Sequence, residues 1–154
     1  MSESQSQKPS VASLGGVTPI LSVRDLAASI AYYVNLLGFK VDFEGPGIFA
    51  SVSRDRCAIF LCEGDQGHAG SWVWIGVNDV TALHEELKAK GAKIRQEPTN
   101  HPWALEIQVE DPDGHVLRFG SEPLQDQPFG DWLDMRGVLW RKSPDGGWLR
   151  IERA

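Results

Sequence analysis

Apolar and polar positions along the chain repeat one pattern twice. Val17 to Val23 is a short apolar run that predicts a strand, and Asp25 follows it where a carboxylate can cap a helix. Leu26, Ile30, Tyr33, Val34 and Leu37 then recur at helical spacing, and Gly38 supplies the left-handed residue that ends a helix. Strands are expected at Phe39–Glu44, Ile48–Ser53 and Cys57–Cys62, separated by Gly45-Pro46-Gly47 and by Arg54-Asp55-Arg56. The pattern begins again at Ser71–Val77. Asp79 is its cap, Val80, Leu83 and Leu87 its helical stripe, and Gly91 its stop. Strands at Lys93–Glu97, Ala104–Glu110 and His115–Phe119 close the second copy, the last two joined by the turn Asp111-Pro112-Asp113-Gly114.

Leu21–Val41 laid beside Ile75–Ile94 makes the repeat visible as strand, capping Asp, amphipathic helix, Gly, strand. The fold class is therefore α+β, built from two βαβββ modules at about 15–63 and 70–121. Each module leaves an apolar face that its twin can cover, so both are expected in one domain over 15–122. Residues 1–14 are Ser- and Gln-rich, with little to offset ordering entropy, and read as a disordered leader. Residues 123–154 belong to neither copy. They read as a linker and a C-terminal β-hairpin extension, with Gly137–Lys142 and Trp148–Glu152 pairing across Ser143-Pro144-Asp145-Gly146.

Composition narrows the function classes. The formal net charge of −6 and the absence of a Lys/Arg cluster argue against nucleic acid as a partner. No run reaches the roughly 18 apolar residues of a membrane span and no signal-like leader is present, so the expected setting is cytoplasmic, without a membrane partner. Cys57 and Cys62 lie five apart in one strand, point to opposite faces, and read as core-filling thiols. His68, His84, His101 and His115 are scattered with no ligand spacing. There is no nucleophile elbow, phosphate loop or dinucleotide fingerprint.

With the doubled module, the fragments TPILSVRDLAASIAYYVNLLGF, DF with FASVSRD, WVWIGVND and HPWALEIQVEDPDGHVLRFG occur in order. Through them the chain resembles the vicinal oxygen chelate superfamily, also called the glyoxalase/bleomycin resistance/dioxygenase superfamily, and most of all its bleomycin-resistance branch. The resemblance implies an incomplete barrel around a cleft, commonly at a homodimer interface. It also implies a divalent-metal site in the superfamily's enzymes. Here the expected ligand positions fall at Thr18, Trp72 and Arg118, and loosely at Leu61. Tryptophan offers a metal no lone pair and arginine is a fixed cation, so neither metal nor cofactor is expected.

Aromatic side chains stand where the ligands would be. Trp72 and Trp74 alternate with Val73 and Ile75, so both indoles face one side of the strand, and one of them is expected in the core. Phe43, Phe49 and Trp103 match the residues that line the drug cleft in bleomycin-resistance proteins, while Glu106 and Arg118 are expected to face the cleft or each other. Together Phe43, Phe49, Trp72, Trp103, Glu106 and Arg118 form the candidate ligand site. It would sequester an aromatic or cationic small molecule, such as a bleomycin-family glycopeptide, in an antibiotic-resistance role and in a homodimer. The rival expectations are a divergent metal-dependent lyase or dioxygenase, a metal-independent isomerase with Glu106 as base, and an assembly module built on the C-terminal hairpin.

Overall fold

Asp25 and Asp79 act as the capping aspartates of the repeat. Each is extended, and each carboxylate accepts the backbone N–H three residues on, from Ala28 at 3.0 Å and Ala82 at 2.9 Å. The computed structural model describes residues 12–152. The leader expected over 1–14 therefore lies mostly outside the described residues.

The first module runs β1 (Ile20–Val23), α1 (Leu26–Ala31), β2 (Lys40–Gly45), β3 (Phe49–Arg54) and β4 (Cys57–Glu63). The second runs β5 (Trp72–Gly76), α2 (Val80–Ala89), β6 (Lys93–Asn100), β7 (Leu105–Glu110) and β8 (Val116–Ser121). Their sheets share one topology. The strand orders are β1-β4-β3-β2 and β5-β8-β7-β6, with the first pair parallel and the others antiparallel. Alternation gives each sheet two faces. Leu21, Val23, Ala50, Val52, Ile59 and Leu61 from the first, with Ile107, Val109, Leu117 and Phe119 from the second, join α1 and α2 in a single core. The face of each sheet away from its helix stays open.

Polar ties lock the modules together. Tyr32 and Tyr33, at the end of α1, donate to the Glu110 carbonyl (2.7 Å) and to Asp111 Oδ2 (2.9 Å). Helical periodicity did not predict what lets adjacent tyrosines both reach the second module. The helix widens into a π-type turn over Tyr32–Leu36, in which Leu37 N–H donates to the Tyr32 carbonyl. The buried positions accordingly fall at Leu26, Ser29, Tyr33 and Leu37, and Ile30 and Val34 are only half-buried. His115, fully buried, accepts from Ser71 N–H at Nδ1 and donates from Nε2 to the Ser22 carbonyl (2.6 Å). Arg54 on β3 forks onto Glu86 of α2 at 2.7 and 3.0 Å.

The C-terminal extension contains the expected hairpin and adds a strand to it. It is a three-stranded antiparallel sheet, β9 (Trp132–Leu133), β10 (Leu139–Lys142) and β11 (Trp148–Ile151), ordered β11-β10-β9. The added strand is held by Asp134. Its carboxylate accepts from Val138 N–H, Arg136 N–H and Trp140 Nε1, and these donors, the indole foremost, hold its pKa down at about 2. No helix among the described residues is long and apolar enough to cross a membrane.

Candidate functional site

The open face of the second module carries most of the polar and aromatic chemistry. Register puts Trp72 and Trp74 of β5, Arg118 of β8, and Glu106 and Gln108 of β7 on that face. Glu106 is its centre, 1% exposed. One carboxylate oxygen accepts from Arg118 Nε (3.1 Å) and Nη2 (2.8 Å), and the other from Arg118 Nη2, Trp74 Nε1 (3.1 Å) and Trp103 Nε1. A buried carboxylate needs such saturation, because a charge left without donors at this depth would cost several kcal/mol. Two indoles are thereby fixed edge-on to one anion.

Both tryptophans of β5 are solvent-facing, Trp72 40% and Trp74 52% exposed, so neither joins the core as expected for one of them. Trp74 lies across Gly76 and Gly120. A Cβ at Gly120 would come within 2.5 Å of the ring, so only glycine admits the indole there. Arg95, from β6, stacks its guanidinium 4.8 Å over the Trp72 ring and donates to Gln108 Oε1. Trp103 stands on the loop after β6 with His101 stacked flat against it, centroids 4.5 Å apart and planes 4° apart. His101 is 3% exposed, and among the described residues its Nδ1 has no hydrogen-bond partner. Burial holds its pKa below the ordinary histidine value, against the pull of Glu106.

The C-terminal sheet docks beside Trp103. Asn100 is the clasp, since its side chain accepts Leu124 N–H (2.8 Å) and donates to the Leu124 carbonyl (3.0 Å), and its own carbonyl accepts Gly130 N–H (2.7 Å). Trp132 and Trp148 come to 6.1 and 5.9 Å from Trp103, ring centre to ring centre. Sequence reasoning read their segment as a linker and a hairpin and did not place them beside Trp103, because docking between distant segments leaves no local pattern.

The open face of the first module is apolar instead. Phe43 and Phe49, both expected, meet Phe60, which was not, with centroids 5.2–6.2 Å apart. Its signal was alternation, since Phe60 lies two residues from Ala58 and Cys62 on the face away from Ile59 and Leu61. Among the described residues no hydrogen bond, ion pair or aromatic contact joins Phe43 or Phe49 to Trp72 or Trp103. The six expected residues thus form two sets, one on each module.

The donors present do not fit a metal. Trp72 and Arg118 stand on the open face as expected, and Thr18 precedes β1. The fourth position moves by one residue. Leu61 points into the core, and Phe60 is the residue of β4 that corresponds to Arg118 of β8 in the shared register. Of these side chains only the Thr18 hydroxyl has a lone pair to offer, and the fixed Arg118 guanidinium repels a cation. Glu106, the one carboxylate at the centre, is committed to five donor contacts. Of the other histidines, His84 pairs with Glu97 across α2 and β6, and no group of three metal-ligating side chains occurs among the described residues.

Known proteins agree with this architecture. No curated protein matches the sequence. Among solved structures, the bleomycin-binding protein from bleomycin-producing Streptomyces verticillus, complexed with copper(II)-bleomycin, is 27% identical with a TM-score of 0.62 over 72% of this chain and 98% of that one. TnmS3, an antibiotic binding protein from Streptomyces sp. CB03234, is 22% identical with a TM-score of 0.62 over 74% and 100%. TioX from Micromonospora sp. ML1 gives 22% and 0.62 over 70% and 99%. The glyoxalase/bleomycin resistance protein/dioxygenase superfamily model matches residues 14–119, so the C-terminal sheet lies outside the family's region. By that match over most of its length, and by the doubled module that carries it, the chain belongs to the glyoxalase/bleomycin resistance protein/dioxygenase superfamily.

Proposed function

We propose that the chain binds and sequesters a small aromatic or cationic molecule on the open face of its second module, without chemical conversion and without a metal of its own. One observation carries the reading. Trp72, Trp74 and Trp103 are each between 40 and 52% exposed, and the last two are hydrogen-bonded to the buried Glu106, which Arg118 pairs. Large indoles left in water are costly unless something covers them, and flat rings bind flat or cationic ligands at about 0.5–2 kcal/mol per contact. Bleomycin-binding and antibiotic-binding neighbours support the ligand class, a bleomycin-family glycopeptide being the first to try.

The phenylalanine face supplies the opposing wall when two chains pair. Phe43 and Phe49 of one copy then face Trp72 and Trp103 of the other, which completes a cleft that a single chain leaves open. The net charge of −6 favours encounter with a basic ligand. The proposed role is drug sequestration by a homodimer in the cytoplasm. Titration of the full chain with metal-free and copper-loaded bleomycin, followed by tryptophan fluorescence, tests it. Saturable quenching that weakens about tenfold in Trp72→Ala is expected. No quenching by either form, or quenching indifferent to Trp72→Ala, would remove the reading.

A further inference from the structure

We propose that the C-terminal sheet carries a second recognition site, an indole box formed by Trp103, Trp132 and Trp148 that takes an alkylammonium group. It deepens the reading above and rests on it only through the shared Trp103.

Register sets the box. Trp132 pairs with Trp140 and Lys142 with Trp148 across β9–β10 and β10–β11, so Trp132, Trp140, Lys142 and Trp148 project from one face of the sheet. That face meets Trp103. The Trp103 and Trp132 rings stand at 84° with centroids 6.1 Å apart, Trp132 and Trp148 at 70° and 6.0 Å, and Trp103 and Trp148 at 47° and 5.9 Å. Rings that meet near a right angle leave a corner in which one cation lies within the roughly 6 Å reach of both faces, and the third ring closes a side.

The corner is open rather than filled. Trp103, Trp132 and Trp148 remain 42, 43 and 39% exposed, although each meets the other two and Trp103 also stacks on His101. Three indoles brought together only for packing would be buried more deeply than this. The chain also shows what these faces attract. The Lys142 ammonium sits 5.0 Å over the Trp148 ring, the one cation–π contact of the extension among the described residues. A ligand ammonium would take the remaining faces, on a protein whose net charge of −6 favours its approach. Glu106 does not provide the counter-charge, because Arg118 already neutralises it. Recognition therefore falls to the ring faces, which suits a methylated ammonium that cannot donate hydrogen bonds.

The test uses the full chain with nitrogen-labelled indoles, titrated with choline and with its uncharged isostere, in which a tert-butyl group replaces trimethylammonium. Choline is expected to shift the indole N–H signals of Trp132 and Trp148 saturably. The isostere should bind at least about tenfold more weakly, and Trp132→Ala and Trp148→Ala should each lose about tenfold in choline affinity. The Trp140 indole, bonded to Asp134 Oδ2 at 3.0 Å, reports in every variant that the sheet is still folded. Lys142→Gln, which vacates the Trp148 face without touching a ring, should tighten choline binding. Equal binding of the isostere, no saturable shift in wild type and Lys142→Gln alike, or unchanged affinity in folded Trp132→Ala overturns the box. Trp72→Ala separates the two readings, since it should weaken bleomycin and leave choline untouched. Choline failing where bleomycin binds would overturn only this inference, and the reverse only the drug-binding reading.

Discussion

The two modules share a frame and differ on the face it presents. Counting from the capping aspartates and through the strand registers, Phe49 and Phe60 of the first module occupy the places of Glu106 and Arg118 in the second. In both, the two residues are diagonal neighbours across an antiparallel pair. In one they make an aromatic contact at 5.2 Å, in the other an ion pair at 2.8 Å whose carboxylate is buried. Backbone topology is thus indifferent to what the open face carries. The core-facing residues, Leu21 against Ile75 or Ala50 against Ile107, stay apolar in both copies because folding depends on them. The open faces were free to diverge, one toward a smooth apolar wall and the other toward indoles oriented by a fixed anion.

The comparison breaks first at its most different pair. Glu106→Ala leaves Arg118 and two indole N–H groups without an acceptor, and should cost about 3 kcal/mol by urea denaturation, at the lower end for a buried pair because Arg118 is partly exposed. At the corresponding position Phe49→Ala removes half-buried apolar surface with no orphaned charge, and should cost about 2 kcal/mol. A larger loss at Phe49 than at Glu106 would mean that the ion pair does not organise its face. Where the modules are alike, the losses should match. Asp25→Ala and Asp79→Ala each remove a cap on the same geometry and should cost about 1 kcal/mol apiece, and a difference beyond a factor of two would break the equivalence of the repeats.

The smallest effect concerns His101, which has no counterpart in the first module. Burial lowers its pKa in the folded chain, so near and below pH 6.5 the unfolded chain binds more protons. Its contribution to stability is present above pH 6.5 and is lost as pH falls through the lower folded value. Subtracting the pH–stability curve of His101→Asn from that of the wild type isolates this slope from the carboxylates. A flat difference between pH 7 and 5 would show that the imidazole is hydrated.

Much of the frame was legible in the chain. The caps at Asp25 and Asp79 and the Asp111–Gly114 turn carry local chemistry at fixed spacing, and alternation placed Trp72 and Trp74 on one face. What was not legible depends on contacts between distant segments. The π-type turn at Tyr32–Leu36 answers to acceptors on Glu110 and Asp111, which helical periodicity does not contain. β9 depends on Asp134 gathering donors from Arg136, Val138 and Trp140, and the docking of Trp132 and Trp148 depends on Asn100. Of the site, residue identities were readable one module at a time. The separation of Phe43 and Phe49 from Trp72 and Trp103 within one chain was not, because the resemblance describes a finished cleft and not which copy supplies each wall.

The most direct test of metal-free sequestration is equilibrium dialysis of the full chain against metal-free bleomycin, with and without a strong chelator, followed by mass analysis of the recovered ligand. Saturable binding is expected, unchanged by the chelator, with the ligand returned intact. Loss of binding in chelator, or recovery of a modified ligand, would contradict it.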